Sequence, residues 1–244
     1  MQRLKRKFPG LFSFIRNRFK SGNFFGLTFT ILLILTTLNI IMLSELAEHV
    51  VNSDQLKRVD MEVSGAFFNI RNPLLSQCLF YLTKLGSIYG ISTITIIAGV
   101  VLISRKRIIQ LIGLFISVLG SGITMHYSKV YFHRERPLNI AYYIPENSFS
   151  FPSGHSTSIM AVLGILCYFI FLDIKKRPLR NVLITLGLSC IFLVGFSRIY
   201  LGVHFLTDVT AGFLLGFLWV LLGIGFMEYL TLKQLQRANK LVVD

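Results

Sequence analysis

The sequence predicts an all-α, polytopic membrane protein, with six transmembrane helices and an outer amphipathic segment between the first two. Three observations carry this. Of the 244 residues, 53% are hydrophobic and the mean hydropathy is +0.65. Only 15% are charged, where a soluble domain carries about 25%. The charges also cluster, leaving uncharged runs of the roughly 20 residues that a helix needs to cross a bilayer core.

The first such run covers residues 21–44. It is too long, and lacks a small-residue cleavage site, for a cleaved signal peptide. Residues 45–84 follow. They are too polar at 52–60 to span, and 66–82 is amphipathic and broken at Pro73, so this stretch reads as an outer segment with one or two interfacial helices. The remaining spans are expected at 85–104, 108–128, 153–172, 181–197 and 209–227. The organisation is then a basic N-terminus at 1–20, one membrane domain at 21–230 and a tail at 231–244. Cys78, Cys167 and Cys190 lie inside apolar runs without metal-type spacing and read as small buried hydrophobes.

Six spans put both termini on one side, and the basic residues choose the side. Seven of the 25 lie in the first 20 positions. Together with those at 105–107, 175–180 and 233–240, one face receives 17 basic residues and the other 8. The positive-inside rule then places both termini in the cytoplasm. The net charge of +14 is thus topology information, and no nucleic-acid partner is expected. Gly86-x-x-x-Gly90 and Gly212-x-x-x-Gly216 allow close helix approach. Packing within the chain is favoured for both, with a homodimer interface as the alternative.

Three polar segments remain, and all fall at outer span ends. They are Lys129 to Arg136-Pro137, then Pro152-Ser153-Gly154-His155, then Ser197-Arg198 to His204 and Asp208. Ionisable groups at membrane depth are costly, so their clustering points to function. Lys129, Arg136 and Arg198 are cations suited to phosphate oxygens. The second segment opens a helix, whose first backbone N–H groups and dipole favour an anion. Gly154 presents no Cβ to an approaching anion, and Ser153 can cap the helix or donate its hydroxyl. His204 and Asp208 stand four apart and share a helix face. A carboxylate on one imidazole nitrogen leaves the other free as a nucleophile. His155, from a different segment, suits the protonation of a leaving oxygen. These residues alone do not exclude the two histidines exchanging roles; the nearness of Asp208 favours His204. Near the motifs only Glu135 and Glu146 add carboxylates, too few for a two-metal centre, so metal-independent catalysis without a cofactor is expected.

The three segments resemble the type 2 phosphatidic acid phosphatase superfamily, whose pattern is Lys-x6-Arg-Pro, Pro-Ser-Gly-His and Ser-Arg-x5-His-x3-Asp. The match runs from Lys129 to Asp208 without departure, and the span layout resembles the bacterial membrane branch. The resemblance implies a phosphohistidine at His204, oriented by Asp208. His155 would serve as acid and then base. Lys129, Arg136, Ser153, Gly154 and Arg198 would hold the phosphoryl oxygens.

The expected activity is that of a lipid phosphatase with its site on the outer face of the cell membrane. Candidate substrates are phosphatidic acid, phosphatidylglycerophosphate and an undecaprenyl diphosphate-like carrier, the outward site slightly favouring the carrier. A lipid phosphotransferase, passing the phosphoryl group to an acceptor other than water, uses the same pocket. A transporter fits the spans but not the reactive groups, and the haloperoxidases of the superfamily are soluble. Beyond these site residues, His126 is expected to pack at a helix end, and His133 and Arg134 to lie in a solvated loop inside the first motif. Tyr142, Tyr143, Phe149 and Phe151 are expected as interfacial anchors, and Asp60 receives no role.

Overall fold

The computed structural model describes residues 24–137, 141–143 and 148–240. The basic segment 1–20, Glu146 and the last four residues of the tail lie outside them. Every regular element among the described residues is helical. In chain order these are α1 (Phe24–Asn52), α2 (Asp54–Asn69), α3 (Pro73–Thr83), a 3-10 turn (Lys84–Gly86), α4 (Ile88–Ser104), α5 (Ile108–Phe132), α6 (Gly154–Asp173), α7 (Arg177–Tyr200) and α8 (Leu206–Lys240). Five of them, α1 and α5 to α8, are long and apolar enough to cross a membrane. A candidate for the sixth is a bent pair, in which α3 with its 3-10 turn meets α4 at 50° and the two together are long and apolar enough to cross.

The expected start of the second span at residue 85 is corrected by that bend. Ser87 is extended (φ −71°, ψ 164°) and its Oγ accepts the Gly90 N–H at 3.3 Å, so α4 begins only at Ile88. The segment ahead of it forms two helices, each with its own cap. Ser53 Oγ accepts the Leu56 N–H at 3.2 Å at the head of α2, and Asn72 Oδ1 accepts the Leu75 N–H at 3.2 Å at the head of α3, with Pro73 in its first turn. Two of the bonds that tie this segment to the bundle come from the turn between α2 and α3. Arg71 donates to the Tyr200 carbonyl at 3.0 Å, and the Asn72 N–H donates to Tyr200 Oη at 2.8 Å. At the far end α8 continues to Lys240, so the expected tail begins as an extension of the last span.

Helix α6 is central and packs against α5, α7 and α8. Leu114, Ile159, Val162, Ile165 and Val194 are completely buried around it. Between apolar helices in lipid, close van der Waals approach does the work that burial from water does elsewhere. The glycine pairs serve that approach within the chain. A Cβ at Gly212 would lie 2.7 Å from the Ser153 carbonyl oxygen, and one at Gly216 2.5 Å from that of Thr157. A Cβ at Gly86 would lie 2.8 Å from Val194 Cγ1. Of the cysteines, Cys167 is buried and Cys190 half-buried, but Cys78 is exposed on α3, against expectation.

Candidate active site

The antiparallel packing of α5 to α8 collects the three polar segments at one end of the bundle. The turns carrying Arg105–Arg107 and Lys175–Arg180 lie at the other end, where Arg107 pairs with Asp173 at 3.4 Å. Between the motif segments is a cavity of about 710 Å³. Lys129, Arg136, Gly154, His155, Arg198 and His204 all line it. Of the expected site residues, only Ser153 and Asp208 stand behind the wall, both completely buried.

His204 lies in the short turn between α7 and α8 and is 1% exposed. Asp208 is in the first turn of α8. Its Oδ2 accepts the Phe205 N–H at 2.9 Å, as a first-turn carboxylate does when it reaches back to cap its own helix. The same oxygen lies 3.4 Å from His204 Nδ1. This contact is long for a hydrogen bond. On the opposite side of the ring, Nε2 meets Arg136 Nη1 at 3.1 Å at the cavity wall. The imidazole therefore has one nitrogen turned to a carboxylate and one to the cationic cavity. Burial holds the His204 pKa well below the ordinary histidine range. The charges of Arg198, Arg136 and Lys129 add to this, and a hydrogen bond with the Ser150 backbone opposes it. A neutral ring, able to act as a nucleophile, follows.

The cations reach the cavity from three elements. Arg136 Nε donates to the Ser148 carbonyl at 2.9 Å, and its Nη1 to the Val203 carbonyl at 2.9 Å. Lys129, in the last turn of α5, donates to the Phe149 carbonyl at 2.8 Å. Arg198, near the end of α7, donates to Tyr143 Oη at 2.6 Å and Thr83 Oγ1 at 3.1 Å.

Ser153 stands at the N-cap position of α6, but its side chain caps no helix N–H. Its Oγ accepts from Ser156 Oγ at 3.0 Å, and its backbone N–H donates to the Asp208 carbonyl at 2.9 Å. Asp208 thus touches both His204 and the start of α6. A Cβ added at Gly154 would meet only the tip of Met125, at 3.6 Å. Packing of the protein itself therefore does not demand glycine at this position, whereas an anion approaching the helix start does.

Several expectations about residues beyond the expected site are corrected. Arg134 is not a solvated loop residue. Its guanidinium donates to Asp208 Oδ1 at 2.6 Å and Thr207 Oγ1 at 2.7 Å through Nη1, and to Asp60 Oδ2 at 2.7 Å through Nη2. Asp60, assigned no role from sequence, is completely buried. Tyr143 is a partner of Arg198 rather than an interfacial anchor, and Phe151 is buried against Phe132, with ring centroids 4.9 Å apart. His126 is exposed and borders the cavity instead of packing. His133 is exposed, as expected, in a left-handed conformation (φ 48°) that ends α5.

The chain was compared with known proteins. A sequence profile of the PAP2 superfamily matches residues 110–232. A phosphatidylglycerophosphatase B of Bacillus subtilis (strain 168) is 36% identical over 167 residues, covering 67% of this chain and 80% of that protein. The crystal structure of a transmembrane PAP2-type phosphatidylglycerolphosphate phosphatase from Bacillus subtilis superimposes with a TM-score of 0.73 at 28% identity, covering 80% of this chain and 96% of that one. Aquifex aeolicus LpxE shares the fold, with a TM-score of 0.54 at 24% identity over 68% of this chain and 95% of its own. With motifs, fold and relatives in agreement, this chain belongs to the PAP2 superfamily.

Proposed function

We propose that this protein is a membrane lipid phosphatase that removes a terminal phosphate at the outer leaflet through a phosphohistidine on His204. The observation that carries this is the two-sided setting of His204, with Nδ1 toward Asp208 and Nε2 toward the cationic cavity. Nε2 of the neutral ring attacks phosphorus as the bond to the lipid oxygen breaks. His155, on the same cavity, gives that oxygen a proton. The contact between Nδ1 and Asp208 tightens as the ring gains positive charge. His155 then takes a proton from water, the resulting hydroxide displaces the phosphoryl group from Nε2, and orthophosphate leaves. Lys129, Arg136 and Arg198 stabilise the charge on the transferring group in the role a metal ion plays elsewhere, so no metal is required. The Gly154 N–H adds a donor at the helix start, which Ser153 supports from behind the cavity wall.

The lipid tail fits the apolar part of the cavity, where Ile88, Ile91, Val118 and Met125 face it from α4, α5 and the α4 side of the bend. An outward site rests on the positive-inside rule, because the basic turns lie at the end opposite the motifs. On this reading α2 lies at the outer interface and α3 leads from it into the bent span. The name of the Bacillus subtilis relative makes phosphatidylglycerophosphate the first substrate to test, ahead of phosphatidic acid and undecaprenyl diphosphate. Purified protein in detergent with a metal chelator is expected to release phosphate from at least one of these lipids, and His204→Ala to release none. Activity that survives His204→Ala, or that disappears on chelation, contradicts the mechanism.

A further inference from the structure

Behind the cavity, α2 reaches the catalytic turn through a single buried carboxylate. Asp60 is completely enclosed, and it touches the start of α8 and Arg134 at once. Its Oδ1 accepts the Thr207 N–H at 3.1 Å. This is one of the helix-start donors that no carbonyl of α8 can satisfy, so Asp60 caps α8 from another helix. Its Oδ2 accepts the Thr207 hydroxyl at 2.5 Å and Arg134 Nη2 at 2.7 Å. Arg134 spans the gap with the other arm of its fork on Asp208 Oδ1 at 2.6 Å. The guanidinium also lies over the Phe205 ring, 4.5 Å from its centroid.

We propose that Asp60 and Arg134 are positioning residues for the reaction at His204, acting through Asp208. The argument is geometric. The Asp208 carboxylate has two oxygens, and both are assigned. Arg134 occupies Oδ1, which leaves Oδ2 directed at the Phe205 N–H and at His204 Nδ1. Asp60 fixes Arg134 in turn, since a planar fork with one arm on each carboxylate cannot rotate about either bond alone. Thr207 closes the ring, donating to Asp60 and accepting from Arg134. Without Asp60 the fork is free to collapse on Asp208 or to swing away. Without the fork, two buried carboxylates lose their shared counter-ion. Either change releases the oxygen that orients the imidazole, while the cations facing the cavity stay in place. Arg134 does not line the cavity that holds His204; it borders a separate one on the far side of Arg136, beside Phe205.

The proposal rests on His204 and Asp208 acting as described above, and the test separates the two. Arg134→Lys keeps the charge but cannot bridge both carboxylates. Asp60→Asn keeps the shape, and Thr207→Val removes one hydroxyl and no charge. Each is measured in full-length protein in detergent with phosphatidylglycerophosphate and phosphatidic acid, alone and combined with Asp208→Asn. For Arg134→Lys and Asp60→Asn the expected result is a fall in kcat of about 10–100-fold, by analogy with the loss of groups that orient metal-bound histidines. KM is expected within about twofold, and in the Asp208→Asn background the same changes cost less than about twofold more, because the residues act as one unit. Thr207→Val is expected to lower kcat by a smaller factor in the same pattern, and it carries the test if either charged variant fails to elute as a single species. A raised KM with kcat retained, losses that multiply in the Asp208→Asn background, or full activity in all three variants overturns the proposal. Full activity in His204→Ala overturns instead the reading on which it rests.

Discussion

Arg134 and Arg136 stand two positions apart in one loop and differ in everything but side chain. Arg136 turns to the cavity and meets Nε2 of His204 at 3.1 Å. Arg134 turns the other way and is held by the carboxylates of Asp60 and Asp208 at 2.7 and 2.6 Å. On the proposed mechanism, one guanidinium sits where a phosphoryl group is handled, the other where the handling residues are held. Removing a group from the first position takes away transition-state stabilisation directly; removing one from the second loosens the geometry that stabilisation requires. A buried ion pair has value here mainly as a fixed arrangement, since its Coulombic gain is largely offset by desolvation.

The largest effect expected on this comparison comes from the cavity side. Arg136→Met should lower kcat/KM by about 10³-fold, the scale of losing a charged transition-state donor. Steady-state rates on lipid phosphate in micelles check this, and a loss no larger than that of Arg134→Lys would erase the distinction between the two arginines. A smaller loss is expected at the helix start. Gly154→Ala meets only Met125 at 3.6 Å, so thermal stability should be unchanged while kcat/KM falls by about tenfold, the cost of one weakened donor. A melting temperature that drops together with activity would make Gly154 a packing residue.

The smallest effect is on pH dependence. Burial and the three cations lower the pKa of His204 in the folded protein. Above the unfolded histidine pKa of about 6.5 both states hold a neutral ring and the shift has no effect on stability. Below it the unfolded chain takes up a proton that the folded ring refuses, so folding loses up to about 1.4 kcal/mol per pH unit as pH falls. Denaturation midpoints between pH 7 and 5 should fall more steeply for the parent protein than for His204→Ala. Burial is the largest cause of the shift, so Arg136→Met and Arg134→Lys should both keep the steep slope of the parent. Equal slopes in all four proteins would contradict a buried, neutral ring at His204.

Much of this site was legible in the sequence because its chemistry is local. The short separation of His204 and Asp208 was enough to bring them together, although His204 stands in the turn before α8 and does not share its helix face as expected. Ser153 likewise marks the start of α6 without capping it through its side chain. The spans were legible for a similar reason, since an uncharged run of sufficient length has few other structures available in lipid. The bend at Ser87 was harder to see, because a polar N-cap inside an apolar run barely changes its mean hydropathy. Asp60 and Arg134 were hidden for a different reason. They are 74 residues apart, on α2 and in a loop, and neither position carries a periodic signal. Arg134 alternates with Arg136, and nothing in that alternation tells which one faces the cavity. Thr207 was covered by the motif as an unspecified position between His204 and Asp208, and its role emerges only when α2 docks on it. Tyr143 is similar: an aromatic in a polar loop reads as an anchor until Arg198 is found 2.6 Å from its hydroxyl.

Whether His204 carries the phosphoryl group is decided by a quench experiment. Protein is mixed with a radiolabelled lipid phosphate and stopped in alkali within one turnover. The expected result is label on the protein that is stable to alkali and lost in acid, that maps to the peptide containing His204, that accumulates in His155→Ala and that is absent from His204→Ala. Turnover without any labelled protein, or label that persists in His204→Ala, would contradict it.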